Sequence, residues 1–170
     1  MKIKSDFITN SSSSSFIVLW PVEIKTIDDI TPYIEEKFAE TIFNDAIKAT
    51  PLLKSHPKFL EIITDEITNG TVYAIEQIDS YTYDEEFCER ENITIDELDE
   101  NFIWRNQMWE EISKLQEIKS YKYAKQFMEG IDDKVFIYIF EYGDESGEYF
   151  SELEHGSTFS KLRHIQVSKH

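Results

Sequence analysis

An α+β fold, with an antiparallel or mixed sheet of about four or five strands packed against three or more helices, is the class this chain predicts. Three observations predict it. Val135-Phe136-Ile137-Tyr138-Ile139-Phe140 is apolar in both alternating rows, as a central strand covered on both faces requires. Ile30, Ile34, Phe38, Ile42 and Ala46 recur every fourth residue and form one apolar helix stripe. Phe16 to Trp20, and the alternating run His164 to Ser168, place further strands near both ends.

Size and charge bound the rest. A chain of 170 residues supports one hydrophobic core, so a single acidic domain over 1–170 is expected. Thirty-four Asp and Glu against 17 Lys and Arg leave a formal charge of -17. Such a surface repels nucleic-acid phosphates and anionic membranes, which excludes a general nucleic-acid binder and favours basic partners. The single cysteine, Cys88, excludes an internal disulfide framework and a Cys-rich metal cluster. No run approaches the ~18 apolar residues of a membrane span, and Phe16 to Trp20 is too short for a signal peptide. The expectation is a cytoplasmic protein with no membrane association.

Taken in order, Ser11, Ser12, Ser13, Ser14 and Ser15 form a run flanked by apolar segments, read as an ordered entry into the strand Phe16 to Trp20. Thr26 and Asp29 form a capping pair before a helix extending to about Lys48, with Pro32 in its first turn. Thr50-Pro51 breaks the chain. A second helix covers Pro57 to Thr68 and stops at Asn69-Gly70. Thr71 to Ile78 reads as a strand, rich in β-branched and aromatic residues.

From Asp79 to Asn101 the chain carries ten acids and one base, Arg90. Cys88 lies among Glu86, Glu89 and Glu91, which disfavour a thiolate. Thr94 to Glu97 matches a capping box. A long helix begins near Asn101, with Trp104, Met108, Ile112 and Leu115 on one face and Phe102 and Trp109 widening it into a core seam; Gly130 ends it. Gly143 to Gly147 is a hairpin signal, residues 157–162 form a loop or short helix, and His164 to Ser168 supplies an edge strand with Ile165 and Val167 inward.

Asp6 to Val18, with its D-F-x-T-N-S-S-S-S-S-F string, resembles the opening shared by a group of small uncharacterised bacterial and phage proteins. The terminal stretch Phe140 to Asp144, Gly147-Glu148, Ser151 to Gly156 and Ile165 to His170 is similar to the ending of one subset of them. The two motifs cover about a quarter of the chain. The resemblance implies relatedness and carries over no activity and no catalytic residue.

Three constellations bear on function. Glu154, His155, His164 and His170 are the candidates for acid-base or metal chemistry. In a strand Glu154 and His155 point to opposite faces, and the spacing matches no compact zinc signature, so neither a metal site nor a cofactor is assigned. The serines of the run, Ser11 to Ser15, are weak candidates for holding an anion, but the run has no glycines or lysine of a phosphate loop and no nucleophile elbow. Glu97, Glu100, Trp109, Glu110 and Glu111 compose the candidate partner surface. The leading reading is a non-enzymatic protein that binds another macromolecule, a basic protein above all, through an acidic and aromatic surface. The alternatives are an enzyme or metal-binding protein using the C-terminal Glu/His cluster, and a nucleic-acid mimic that occupies a basic groove. Self-association through the edge Arg163 to His170 stays open.

Overall fold

Strand β1, Ser13–Trp20, lies at the centre of the structure and pairs along both of its sides. The computed structural model describes residues 13–143, 152–153 and 157–169. The four strands are β1, β2 (Leu52–Leu53), β3 (Phe136–Gly143) and β4 (His164–Ser168), in the spatial order β2-β3-β1-β4. Every neighbouring pair is antiparallel. Five α-helices among the described residues accompany the sheet: α1 (Glu36–Lys48), α2 (Phe59–Thr68), α3 (Ser80–Glu91), α4 (Ile95–Glu100) and α5 (Phe102–Phe127). The α+β class and the sheet-plus-helices architecture are as the sequence predicts.

Alternation assigns the two sheet faces. Phe16, Val18 and Trp20 of β1 join Tyr138, Phe140 and Tyr142 of β3 in one core, closed by Phe38 and Ile42 of α1 and by Phe159. Ile17 and Leu19 join Ile137, Ile165 and Val167 in a second core under α2 and the C-terminal half of α5. The sheet is therefore buried on both faces, which explains why both rows of β1 and β3 are apolar. A third, smaller core of Phe87, Cys88, Leu98 and Met108 lies inside a helical lobe made by α3, α4 and the N-terminal half of α5.

Several elements differ from the sequence reading. The stripe Ile30 to Ala46 is buried throughout, but it is not one helix: Ile30 and Ile34 lie in turns that follow a 3-10 turn, Ile27–Asp29, and only Phe38, Ile42 and Ala46 belong to α1. Pro32 has no N–H and disfavours helical geometry at the preceding Thr31, so the helix starts beyond it. The capping box at Thr26 is present, with Asp29 Oδ2 accepting from Thr26 N at 2.8 Å.

Thr71 to Ile78 is not a strand. Thr71 alone bridges Ser168, and Ile75 N–H then turns back to Val72 O at 2.9 Å. This turn puts Val72 and Ile75 into the same core, whereas strand spacing would send them to opposite faces. Gly70 permits the approach, since a Cβ there would lie 2.5 Å from Val167 Cγ1 and 2.6 Å from Ser168 O. The short β2 and the acidic α3 carry no periodic signal. Of the residues in α3, only Phe87 and Cys88 are buried.

The long helix α5 ends at Phe127, with Gly130 at φ +73° in the turn beyond it. Its core seam is shorter than expected. Met108 is buried and Trp104 and Ile112 half-buried, but Leu115, Phe102 and Trp109 are exposed. At 100° per residue, the buried face of the first half (Trp104, Met108, Ile112) is rotated by roughly 120° from that of the second half (Ser120, Ala124, Phe127). One helix thus serves two cores on different sides. The hairpin turn after Gly143 falls outside the described residues; β3 and β4 do not pair, because β1 lies between them.

Candidate partner-binding surface

The reactive groups singled out from the sequence do not converge among the described residues. Glu154, His155, His170, Ser11 and Ser12 lie outside them. Ser13, Ser14 and Ser15 are the first residues of β1. His164 opens β4 opposite Val18, whereas Ser14 lies opposite Ser168, four residues along the ladder and about 13 Å away. His164 Nδ1 is 3.0 Å from Leu162 O, and its ring packs 6.2 Å from that of Phe159. Among the described residues no group of three or more His, Cys, Asp or Glu could hold a metal, and no helix is long and apolar enough to cross a membrane.

Ser15 is fully buried with an unpartnered hydroxyl on the second-core face. On that face, just past β4, Lys169 Nζ binds Glu66 Oε1 at 2.9 Å and Glu141 Oε2 at 3.3 Å. Burial alone would lower the Lys169 pKa, but the two carboxylates outweigh it and raise it. This triad pins the end of the chain to α2 and β3. Cys88 is buried in the helical lobe, where desolvation and then Asp84 push its thiol up, as the acidic neighbours predict.

The helical lobe concentrates the acidic surface, and its two arginines decide which acids stay open. Arg90 Nη2 binds Glu111 Oε2 at 2.7 Å, and Tyr83 donates its hydroxyl to the same oxygen at 2.9 Å. Arg105 Nη1 bridges both oxygens of Asp84 at 3.2 Å, and its other nitrogen binds Asp99. Glu97 closes the capping box, its Oε2 accepting from Thr94 N at 2.8 Å. That bond, first, and the Thr94 hydroxyl hold its carboxyl below the ordinary value. Glu97 and Glu111 are therefore structural. Glu85, Glu86, Glu89, Asp96, Glu100 and Glu110 make no ion pair among the described residues, and face solvent uncompensated.

The pairing around Glu111 has a pH consequence. Burial opposes its ionisation, but Tyr83 and Arg90 outweigh burial and hold its pKa below the ordinary value. A depressed folded pKa contributes stability that is complete above the unfolded value, about 4.3, and is lost as pH falls through the folded one. Urea unfolding of the native chain and of Glu111→Gln should therefore differ most at neutral pH. The difference should shrink steadily below about pH 4.3. A constant difference down to pH 2.5 would remove the ionised carboxylate from the account.

Beside the open acids lie apolar side chains that no core claims. Asn101 ends α4 and caps α5, its Oδ1 accepting from Ile103 N at 3.0 Å and Trp104 N at 3.3 Å. The cap sets Phe102 and Ile103 in the first turn of α5, where they are 77% and 74% exposed. Trp109, two turns on, is 49% exposed. Two shallow grooves flank these residues. One, of about 450 Å³, is lined by Glu97, Glu100, Asn101, Phe102, Ile103 and Trp104. The other, of about 410 Å³, is lined by Asn106, Trp109, Glu110, Ser113, Lys114 and Glu117.

The structure thus brings Glu100, Trp109 and Glu110 of the candidate surface onto one exposed region, and assigns Glu97 and Glu111 to holding the lobe together. Phe102 and Ile103, missed as surface residues, complete the region. Their position directly after a capping asparagine was the available signal, since the first residues of a helix often overhang its core. Comparison with known proteins adds no relative: no family model, no curated protein and no solved structure matches the chain.

Proposed function

We propose that this chain is a non-enzymatic binding protein that captures a basic segment of another protein on the acidic, aromatic face of α4 and α5. The observation that carries this reading is the exposure of Phe102, Ile103 and Trp109 beside carboxylates that have no cationic partner among the described residues. The two parts act differently. Apolar anchors supply affinity, about 1.5–3 kcal/mol for each large side chain taken fully out of water. Open carboxylates steer a cationic partner and reject anionic ones. An amphipathic basic helix presents both features at the spacing of the stripe from Phe102 to Glu117, roughly 22 Å of α5. A cytoplasmic setting belongs to the same reading, supported by the lone, buried Cys88.

A nucleic-acid mimic uses the same charge, but a phosphate array has no counterpart to the apolar anchors. The anchors favour the protein-capture reading.

Calorimetric titration with an 18-residue lysine–leucine amphipathic peptide tests the proposal. Saturable one-to-one binding is expected, weakening about tenfold between 50 and 200 mM salt as the surface charges are screened. Binding that does not saturate, or that ignores salt, would contradict it.

A further inference from the structure

The outer edge of β3 is open along half its length, and we infer that it is a strand-addition site for an extended, basic segment of a partner protein. The ladder geometry identifies the open groups. Leu52 lies opposite Ile137, and Lys54 N donates to Val135 O at 2.9 Å. Odd-numbered residues here therefore turn their N–H and C=O groups away from β1, and even-numbered ones turn toward it.

Covering stops after Ile137. Two residues further, the same register would set Thr50 opposite Ile139 and Lys48 opposite Glu141. Lys48 is the last residue of α1, and Pro51 intervenes, so the chain leaves the edge instead of extending β2. Neither Ile139 nor Glu141 has a backbone partner on this side among the described residues. A groove of about 430 Å³ runs along these positions, walled by Thr41, Asp45 and Lys48 of α1 and by Ile139 to Tyr142.

Unpaired strand groups in a groove are recognised by another extended backbone, which forms main-chain bonds and leaves side chains to set specificity. The charge of the whole chain, -17, favours a cationic occupant. Within the groove Asp45 accepts from the Tyr142 hydroxyl at 3.4 Å, Glu141 is bound by Lys169, and Lys48 stands at the α1 wall, so the side chains leave recognition to the backbone groups. A second copy would instead bring a formal charge of -17 against another -17. A basic segment of three or four residues, antiparallel to β3 and continuing the row of β2, fits both the backbone and the charge.

A six-residue peptide of alternating lysine and valine, titrated into the ¹⁵N-labelled protein, provides the test. Shifts and slowed exchange at the Ile139 and Glu141 amides are expected. N-methylation of the peptide at the two residues facing β3 should weaken binding about tenfold or more at unchanged charge. Glu141→Pro removes an outward N–H without removing a bond to β1, and should do the same; Glu141→Gln, which keeps the N–H, should bind within about threefold of the native chain. Equal binding by the N-methylated peptide, or by a folded Glu141→Pro protein, would overturn the site. So would an absence of binding. Shifts confined to Phe102, Ile103 and Trp109 would overturn it too, while leaving the α4–α5 reading intact.

Discussion

Replacing both Phe102 and Ile103 by serine is expected to weaken binding of a basic amphipathic partner by at least about a hundredfold, with little change in stability. The two effects separate because these side chains are 77% and 74% exposed and belong to none of the three cores. Substitution at such surface positions usually moves stability by about 0.5 kcal/mol or less. Burial against a partner would engage the same side chains at about 1.5–3 kcal/mol each, so losing both removes a factor of a hundred or more. Calorimetry on the double variant, beside its urea unfolding curve, measures both quantities. The charge contribution is distinct: Glu100→Gln with Glu110→Gln should chiefly slow association and flatten its salt dependence. Unchanged binding by the serine variant, with loss in the glutamine variant, would transfer the argument to the phosphate-mimic reading.

The largest stability effect is expected in the first sheet core, at Trp20. Trp20 is fully buried where β1 meets the turn before α1. Its ring stands edge-on to Tyr33 at 5.7 Å and Tyr138 at 6.2 Å, and Nε1 donates to Asp29 O at 3.0 Å. Tyr138 in turn accepts a hydrogen bond from Ile24 N at 2.8 Å. Trp20→Ala opens a cavity and removes the donor to the half-buried Asp29 carbonyl, costing about 3–5 kcal/mol. Against a typical total of about 5–15 kcal/mol, that is enough to unfold a marginal domain. Trp20→Phe keeps most of the ring and loses the hydrogen bond, so its cost should fall in between. Urea denaturation reads the series; a cost below about 1 kcal/mol for Trp20→Ala would show that this corner contributes little.

How much of this was legible in the sequence depends on how much of each element is buried. β1 and β3 carry two apolar rows because the sheet has a core on each face, and such strands stand out in any reading. The capping boxes at Thr26 and Thr94 are chemically specific over four residues and hold in the structure. α3 was not legible, since it buries two residues and spends its other side chains on solvent and ion pairs. β2 is two residues long, and its presence follows from the position of β3 rather than from its own composition. Val72 and Ile75 misled because β-branched residues in a turn look like those in a strand until their common side is known.

The candidate surface divides along similar lines. Acid density predicted the right part of the chain, but density does not distinguish Glu111, held by Arg90 and Tyr83, from Glu110, which has no such partner. Read as one amphipathic helix, α5 places Phe102 in a core seam and leaves Trp109 shared between that seam and the candidate surface. The change of buried face along it, invisible to a single helical period, is what leaves them outside.

The most direct test of partner capture uses the three tryptophans as internal reporters. Each indole N–H gives one resonance, and the residues differ in setting: Trp20 is fully buried, Trp104 half-buried, and Trp109 about half exposed. On titration with the lysine–leucine peptide, the Trp109 indole should shift progressively and saturate, Trp104 should move less, and Trp20 should stay in place. A saturating titration in which Trp109 does not move would contradict the assignment of α4 and α5 as the binding face.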